Sequence, residues 1–478
     1  MEASVCGAGP AGLLSAICLS QKWNGNCKID VYDKRPAPTY SNKSWEDLSS
    51  SFYNLGLGER GITALMEFGA WEVVRDACIL VPGRVDYQPG SSEPSKKMLT
   101  DKKYGTYVLP RDKLVSVLHQ HVQEEYSDSI HLHYEHDVRP IMDTTSTDDD
   151  DSNVRIQVSN LDTDKIKIKD SDLVVACDGA ARTFVRYFEA QDKKNKDKQD
   201  PISIVRFEDN NQRVFKSIHF QLPSDWERNL NYAVRSENSR VIFDALPVNL
   251  EGDYVGILLF RANDEMAEEQ VDPQVFRQFL QQEIPQFSDF ITAIESKKAA
   301  RSKSSILPMF RYVTPRLHHG KNCVILGDSA KTVKPYFGLG CNSALEDVRI
   351  FGDCVDDASS IADAVSEFSS RRAKDIEVLV QVSASLDKPG LAGLFGFIFP
   401  LILDKIFYKL APQVFAQNII AMLQRDDITF QEVAARKRSD RIGQICCLSL
   451  LFATISSLVG SLSVAATTIV GSTSATIQ

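Results

Sequence analysis

A chain of 478 residues with 43% hydrophobic content can bury a sizeable core, and its length predicts two or three domains. A formal net charge of -10 with no compensating basic stripe argues against a nucleic-acid partner. Ten cysteines without Cys-x-x-Cys pairs or metal spacing argue against a disulfide framework and predict reduced, mostly buried thiols in a cytosol-facing protein.

At the amino terminus a strand (Ser4-Val5-Cys6) runs into Gly7-Ala8-Gly9-Pro10-Ala11-Gly12 and an apolar helical stretch from Leu13 to Leu19. After the Asn24-Gly25-Asn26 turn a second strand, Lys28 to Tyr32, ends at Asp33. This is a dinucleotide-binding fingerprint in its proper context. The glycines make the tight turn and admit a pyrophosphate to the helix N-terminus, and the acid about twenty residues on can bind a ribose. Because the fingerprint starts almost at Met1, the sequence is expected to carry no cleavable signal or transit peptide before it.

His131, His133 and His136 lie close together, with no acidic or thiol neighbour at ligand spacing, so no metal site is expected there. The aspartate-rich stretch from Thr144 to Asn153 and the Lys/Asp/Gln-rich stretch from Glu189 to Asp200 read as exposed loops. Between them, Asp172 to Arg186 is a hydrophobic strand ending in Asp178-Gly179, followed by small residues and two arginines. From Ile202 to Arg261 the pattern is strand-like, with Phe215 to Leu222, Arg240 to Val248 and Asp253 to Arg261 predicting an antiparallel sheet. Val271 to Ala300 reads as helical. His318-His319 reads as part of an exposed polar turn.

The stretch from Gly327 to Asp347 is the third strand-turn-helix of this kind. A buried strand, Cys323 to Leu326, ends in Gly327-Asp328, crosses a Pro/Gly-rich turn and enters a helix. Asp328 at the strand's carboxyl end can accept a hydrogen bond from a sugar hydroxyl, while amides of Gly338, Gly340 and the helix start converge on an electron-rich group.

Leu391 to Leu423 is aromatic and helix-prone, which fits either a helical cap packed on the core or a helix pair resting on a membrane. After Arg436-Lys437-Arg438-Ser439-Asp440-Arg441 no charged residue occurs through Gln478, and Ile445 to Val470 is long enough to span a bilayer. The basic cluster before it predicts that the preceding body stays on the cytoplasmic side.

Fingerprint first, strand-Asp-Gly in mid-chain and strand-Gly-Asp late: in that order the segments resemble the FAD-dependent aromatic hydroxylases, the single-component (class A) flavoprotein monooxygenases. Within them the chain is most similar to the kynurenine 3-monooxygenase family. The likeness runs through Tyr53 to Gly61, Leu80 to Arg84, Tyr104-Gly105-Thr106, Arg111 to Leu114, Ala245-Leu246-Pro247 and Pro335 to Asn342. Departures from the family pattern are Ser329 and Lys331 in Gly-Asp-Ser-Ala-Lys, Val234-Arg235, and Val380 to Lys388, which lacks a tyrosine. Lys331 is expected to place a positive charge near the cofactor phosphates.

The resemblance implies an α/β fold: a Rossmann-like FAD-binding domain, an antiparallel-sheet substrate domain, a helical C-terminal region and a C-terminal membrane segment. Residues 1–200 would be the FAD-binding domain, with part of the substrate pocket near 53–110, and 201–300 the substrate domain. The chain would return to the FAD-binding domain over 301–385, continue as the helical region over 386–441 and end in the anchor over 442–478. FAD would be held by Gly7, Gly9, Ala11, Gly12, Asp33 and Arg35 at the pyrophosphate and ribose. Arg111 would contact flavin or pyrophosphate, and Asp178-Gly179 would lend support with a nicotinamide role. Asp328 would meet the ribityl chain, and Gly338, Leu339, Gly340, Cys341 and Asn342 the isoalloxazine. The substrate would meet Arg84, whose guanidinium can pair with a carboxylate, together with Tyr104, Asn342 and the wall Pro335, Tyr336 and Phe337. No catalytic side chain or metal is expected, because in the family NADPH reduces the FAD and a flavin C4a-hydroperoxide formed from O2 hydroxylates the ring. L-kynurenine or a related aromatic amino-acid metabolite is the implied substrate, on a membrane-anchored body at the mitochondrial outer membrane or another organelle. Two alternatives stand beside it: a flavin monooxygenase or epoxidase acting on a lipophilic isoprenoid or pigment, and a non-catalytic flavin-binding membrane protein.

Overall fold

The computed structural model describes residues 1–38, 53–89, 93–98, 105–142, 153–195, 198, 200–209, 211–237 and 240–474. They fall into two units. The first comprises Met1–Pro389 with Gln424–Asp426, and the second comprises Gly390–Leu423 with Asp427–Gln478.

The first unit is built on a six-stranded sheet in the order His318–His319, Cys323–Ile325, Leu173–Ala176, Glu2–Cys6, Lys28–Asp33, Ile130–Tyr134. All neighbours are parallel except the short His318–His319 edge. Its central strands are near-continuous apolar runs, with Ala3, Val5, Ile29, Leu173, Val175, Val324 and Ile325 wholly buried, as a parallel sheet covered on both faces requires. The fingerprint helix Pro10–Lys22 buries Leu13 through Leu19, and the helix Leu339–Asp357 packs against it. Register pairs Ala3 with both Ile29 and Leu173, so the Gly7 turn, Asp33 and Asp178 all emerge at the carboxyl edge.

A seven-stranded sheet lies in the same unit, in the order Ser305–Ile306, Arg213–Gln221, Asp253–Arg261, Val241–Pro247, Asn231–Arg235, Gly83–Tyr87, Pro94–Met98. The strands expected between 202 and 261 are there and antiparallel. Gly83–Tyr87 joins them in parallel with Asn231–Arg235. One face is the aromatic core of Phe220, Phe243, Phe260, Phe276, Phe279 and Phe287 beneath the helices of 273–301. The alternation in Gly83–Tyr87 and Val241–Pro247 turns Val85 and Tyr87 to that core and Arg84, Asp86 and Asp244 to the other face.

One expectation is corrected. His319 is not exposed: it is wholly buried, stacked on Phe188 at 4.1 Å between ring centroids. Within the stretch Leu391 to Leu423, Leu391, Phe395, Phe399, Ile402 and Ile406 are exposed, whereas Phe415, Met422 and Leu423 are buried.

In the second unit an apolar helical run, Gly390–Leu410, contains a π-helical turn at Leu394–Ile398, and a longer helix spans Phe430–Ser474. Both are long and apolar enough to cross a membrane, and only 6% of each apolar window is buried. They are joined by buried polar groups. Asp404, fully enclosed, meets Lys437 and Arg441 at 3.1 Å each and accepts from Gln444 at 3.1 Å. Lys437 also pairs with Asp440 at 2.8 Å. A buried carboxylate must be compensated in this way, because an unpaired one costs several kcal/mol on the order-of-magnitude scale for desolvated ions.

Candidate functional site

A cavity of about 470 Å³ opens at the carboxyl edge of the parallel sheet. The sequence-predicted Gly7, Gly9, Asp33, Arg35, Arg111, Asp178, Gly179 and Asp328 all line it. Its size falls within the range of small-molecule sites.

At the fingerprint, Gly7 has φ +120, and a Cβ there would lie 2.3 Å from the Cys177 carbonyl oxygen. Gly12 stands away from the cavity, and its Cβ would lie 1.8 Å from the Gly7 carbonyl oxygen, so it fixes how closely helix meets turn. Gly9 has open space on its exposed side and is the N-cap of a helix without a side-chain cap. The first-turn amides beyond it are left for an anion. Asp33 Oδ2 accepts from Ala8 N at 2.9 Å, and its carboxylate receives Arg35 through Nε and Nη2 at 3.0 and 2.9 Å. Burial opposes the Asp33 charge, but these hydrogen bonds prevail and hold its pKa below the usual carboxylate range.

Asp178-Gly179 and Gly327-Asp328 come from different strands and are stitched together by Ser329. Its Oγ donates to Asp178 Oδ1 at 2.8 Å and accepts from Gly179 N at 2.9 Å, contacts that the alanine of the family pattern cannot make. Asp328 opens into the cavity, and enclosure by protein raises its pKa against the pull of Lys331, Arg182 and Arg111. Tyr53 lines the same cavity with Arg111 and Asp328 nearby, and burial pushes its phenol up to about 12.

The positive charge expected of Lys331 near a cofactor phosphate is directed elsewhere. Lys331 is buried and paired with Asp347, which also accepts from Gly327 N at 3.0 Å and Arg372 Nε at 2.8 Å. Arg372 in turn holds Glu346 and Asp375 at 2.5 Å each, and Glu346 holds Arg60. Three buried cations thus face three buried carboxylates behind the Gly327 turn.

Gly338, with φ +64, is the N-cap of the helix Leu339–Asp357, which also has no side-chain cap. Leu339 is buried; Gly340 and Cys341 are half-buried, and burial pushes the Cys341 thiol up to about 12. Asn342 is enclosed: Oδ1 accepts from Gly58 N at 2.9 Å, and Nδ2 donates to the carbonyls of Gly56 at 2.8 Å and Gly338 at 2.6 Å. Its side chain braces the turn against the strand Asn54–Leu57. Ala11 packs under Gly327, whose added Cβ would lie 3.3 Å away. Pro335 and Tyr336 are exposed, and Phe337 is half-buried on the same short 3-10 turn. Arg84 is engaged by Asp86 at 2.7 Å and Asp244 at 3.0 Å. Tyr104 lies outside the described residues.

Several cavity residues carried no sequence signal, among them Cys6, Tyr32, Lys34, His136, Cys177 and Thr183. His133 finds Asp30 at 2.8 Å, a carboxylate supplied by the neighbouring strand. Asp30 is also held by Lys169, and the His133 ring stacks on Tyr32.

A doubly covered parallel sheet with a glycine fingerprint, an uncapped helix N-terminus and acids at three strand ends defines a dinucleotide-binding fold. A family profile described as an FAD binding domain matches residues 48–353, and the chain belongs to that family. It is an FAD-dependent oxidoreductase of the aromatic monooxygenase class. It is 23% identical over 451 residues to kynurenine 3-monooxygenase of Salinispora tropica, covering 92% of this chain and 91% of that one. With the Sus scrofa kynurenine 3-monooxygenase it shares 22% identity, over 91% of this chain and 86% of that one. Among solved structures, 2-methyl-3-hydroxypyridine-5-carboxylic acid oxygenase superposes with a TM-score of 0.59 at 16% identity, over 83% of this chain and 95% of that one. Pseudomonas aeruginosa PqsL in complex with 2-aminobenzoylacetate gives 0.58 at 17%, over 84% and 99%. These two likenesses concern the fold.

Proposed function

We propose that the protein is an NADPH-consuming monooxygenase that hydroxylates an aromatic small molecule, with L-kynurenine or a related aromatic amino-acid metabolite as substrate. The observation that carries this is the similarity to proteins named kynurenine 3-monooxygenase along about nine-tenths of both chains. The cavity agrees with it. Gly7, Gly9 and the first turn of Pro10–Lys22 would receive the FAD pyrophosphate, with Asp33 and Arg35 at the ribose and Arg111 alongside. Asp328 would meet the ribityl hydroxyls, and the backbone of Gly338 to Asn342 the ring system. Bound FAD would supply hydride acceptance and activation of O2. The protein's part is to hold the substrate ring beside Pro335, Tyr336 and Phe337 and to exclude water.

A cluster of arginines beside Asp178-Gly179 supports NADPH as reductant. Among the described residues Arg182, buried and in left-handed backbone geometry, donates to the Ala180 carbonyl and Thr332 Oγ1, and its Nε has no acceptor. Burial, with Arg311 and Arg186 close by, lowers its pKa to about 10 against the pull of Asp328 and Asp178. Arg311 Nε likewise has no acceptor among the described residues. Such a cluster would welcome a phosphate. The helix Phe430–Ser474 would anchor the body to a membrane, with Arg436, Lys437, Arg438 and Arg441 keeping it on the cytosolic side. The family resemblance points to the mitochondrial outer membrane.

A second reading rests on Arg84. Its two aspartate partners leave the trio with a net negative charge, which disfavours a carboxylate-bearing substrate; a lipophilic molecule drawn from the bilayer is the alternative that needs no carboxylate clamp. The test is NADPH oxidation by the purified, FAD-loaded protein with and without kynurenine, read together with the product. Kynurenine-dependent acceleration and a hydroxylated product support the first reading. Unchanged oxidation with kynurenine, together with acceleration by a lipophilic aromatic or isoprenoid, overturns it in favour of the second.

A further inference from the structure

The second unit contains two helices long enough to cross a bilayer, yet the path of the chain allows only one of them to do so. The chain leaves the first unit at Pro389 and is back in it at Gln424–Asp426. The return is anchored: Gln424 Nε2 donates to the Phe337 carbonyl, and Thr63 Oγ1 donates to Asp426 at 2.5 Å. If Gly390–Leu410 crossed the membrane, residues 411–423 would have to cross back. As a helix, those 13 residues reach about 20 Å, short of a hydrocarbon core about 30 Å thick. They include Pro412, Gln413, Gln417 and Asn418, and their one helix, Ile419–Gln424, has six residues. An unpaired backbone cannot replace a helix in lipid.

The charge-free part of that helix is shorter than the helix as a whole. Between Lys388 and Asp404 lie only 14 helical residues without charge, Gly390 to Leu403, about 21 Å long. Charged residues therefore hold both ends to one face of the membrane. At its far end Asp404 is locked to Lys437 and to Arg441, the last charged residue before the uncharged stretch that starts at Ile442. That stretch runs as helix for about 50 Å to Ser474, enough to span. Lys405, Lys409 and Arg438 are exposed and have no carboxylate partner among the described residues, so they are available to anionic headgroups.

We propose that Gly390–Leu410 lies in the plane of an anionic phospholipid leaflet as an interfacial helix, and that the Asp404–Lys437–Arg441 lock sets its depth level with the entry point of the Phe430–Ser474 helix. The proposal rests on the membrane reading of that second helix. Leu391, Leu394, Phe395, Ile398, Phe399 and Ile402 enter the acyl boundary, and the catalytic unit and residues 411–441 share one side.

The test uses the full chain with its five incompletely buried cysteines, Cys27, Cys78, Cys341, Cys446 and Cys447, replaced by serine. Single cysteines at Phe395, Ile398, Phe452 or Leu458 carry an environment-sensitive fluorophore in phosphatidylcholine/phosphatidylserine vesicles. Quenching by lipids spin-labelled near the headgroup is expected to exceed quenching by deep-labelled lipids at 395 and 398, with the reverse order at 452 and 458. In sealed vesicles, Gln413→Cys is expected to react with an impermeant maleimide from the side that bears the catalytic unit. Deep quenching at 395 and 398, no quenching there, or protection of Gln413→Cys overturns the in-plane helix. Absence of quenching at 452 and 458 overturns the anchor itself, a distinct outcome.

Discussion

Replacing Lys331 by methionine tests whether the buried ion network behind the Gly327 turn is electrostatically balanced. The native count is Arg60, Lys331 and Arg372 against Glu346, Asp347 and Asp375, all buried. Methionine keeps the volume but leaves two cations facing three carboxylates. Losing one partner of a buried pair costs about 3–5 kcal/mol when the remaining charge is stranded. Asp347 keeps Arg372 and the Gly327 amide, so a loss of about 2–3 kcal/mol is expected. Adding Asp347→Asn restores two against two and should recover at least ~1 kcal/mol, a coupling typical of residues in contact. Urea unfolding of the FAD-loaded protein in detergent, comparing midpoints at constant m-value, measures both. Because Asp347 also holds Gly327 N, Lys331→Met should loosen FAD as well as the fold. A Lys331→Met protein within ~0.5 kcal/mol of the parent, or a double variant no more stable than the single one, would refute the charge-balance argument.

Removing Ser329 Oγ with Ser329→Ala cuts the contacts to Asp178 and Gly179, worth about 0.5–1.5 kcal/mol each; FAD titration should show affinity falling up to roughly tenfold or somewhat more, with little change in secondary structure. Gly12→Val forces a side chain against the Gly7 carbonyl, and purification should yield protein without flavin absorbance. Lys216, wholly buried and donating to the Glu268 carbonyl at 2.7 Å and the Ala300 carbonyl at 3.3 Å, has its pKa lowered by burial to about 8. Between about pH 8 and the unfolded value near 10.5 the unfolded chain holds the proton and the folded one releases it, so this group's destabilising contribution fades as pH rises. Buried cysteines such as Cys18 and Cys323 act in the opposite sense, since their raised pKa values keep the folded state protonated above pH 9. The difference in unfolding free energy between parent and Lys216→Met isolates the lysine and should change by up to ~3 kcal/mol from pH 7.5 to 10.5; a pH-independent difference would count against it.

The parallel sheet and three of its strand ends were legible because they are local: apolar runs of sheet length, glycines at forced turns and an acid just beyond each strand. The joining of Gly83–Tyr87 to Asn231–Arg235 was not, because parallel pairing across distant segments leaves no periodic trace. Lys331 was read from its sequence neighbours as facing a phosphate, but its partner Asp347 lies 16 residues on, brought round by the phase of a helix. Arg84 was recognised as a carboxylate binder from its chemistry alone, whereas Asp86 and Asp244, which engage it, become its neighbours only through strand pairing. His319 looked polar and exposed because stacking on Phe188 is a tertiary fact. For the stretch Leu391 to Leu423 composition left two readings open, because it mixes residues that end up exposed, such as Phe395 and Phe399, with residues that end up buried, such as Phe415 and Leu423.

The anchored return at Gln424–Asp426 also decides where the polypeptide can be cut. A protein ended after Pro389 would lose the amide that satisfies the Phe337 carbonyl and the carboxylate that receives Thr63, opening the turn expected to stand beside the substrate ring. One ended after Arg441 would keep both contacts and the Asp404 pairs with Lys437 and Arg441 while shedding the long uncharged helix. For producing a smaller, detergent-tolerant enzyme, the boundary to choose is Arg441–Ile442, although the first hydrophobic helix lies fifty residues earlier.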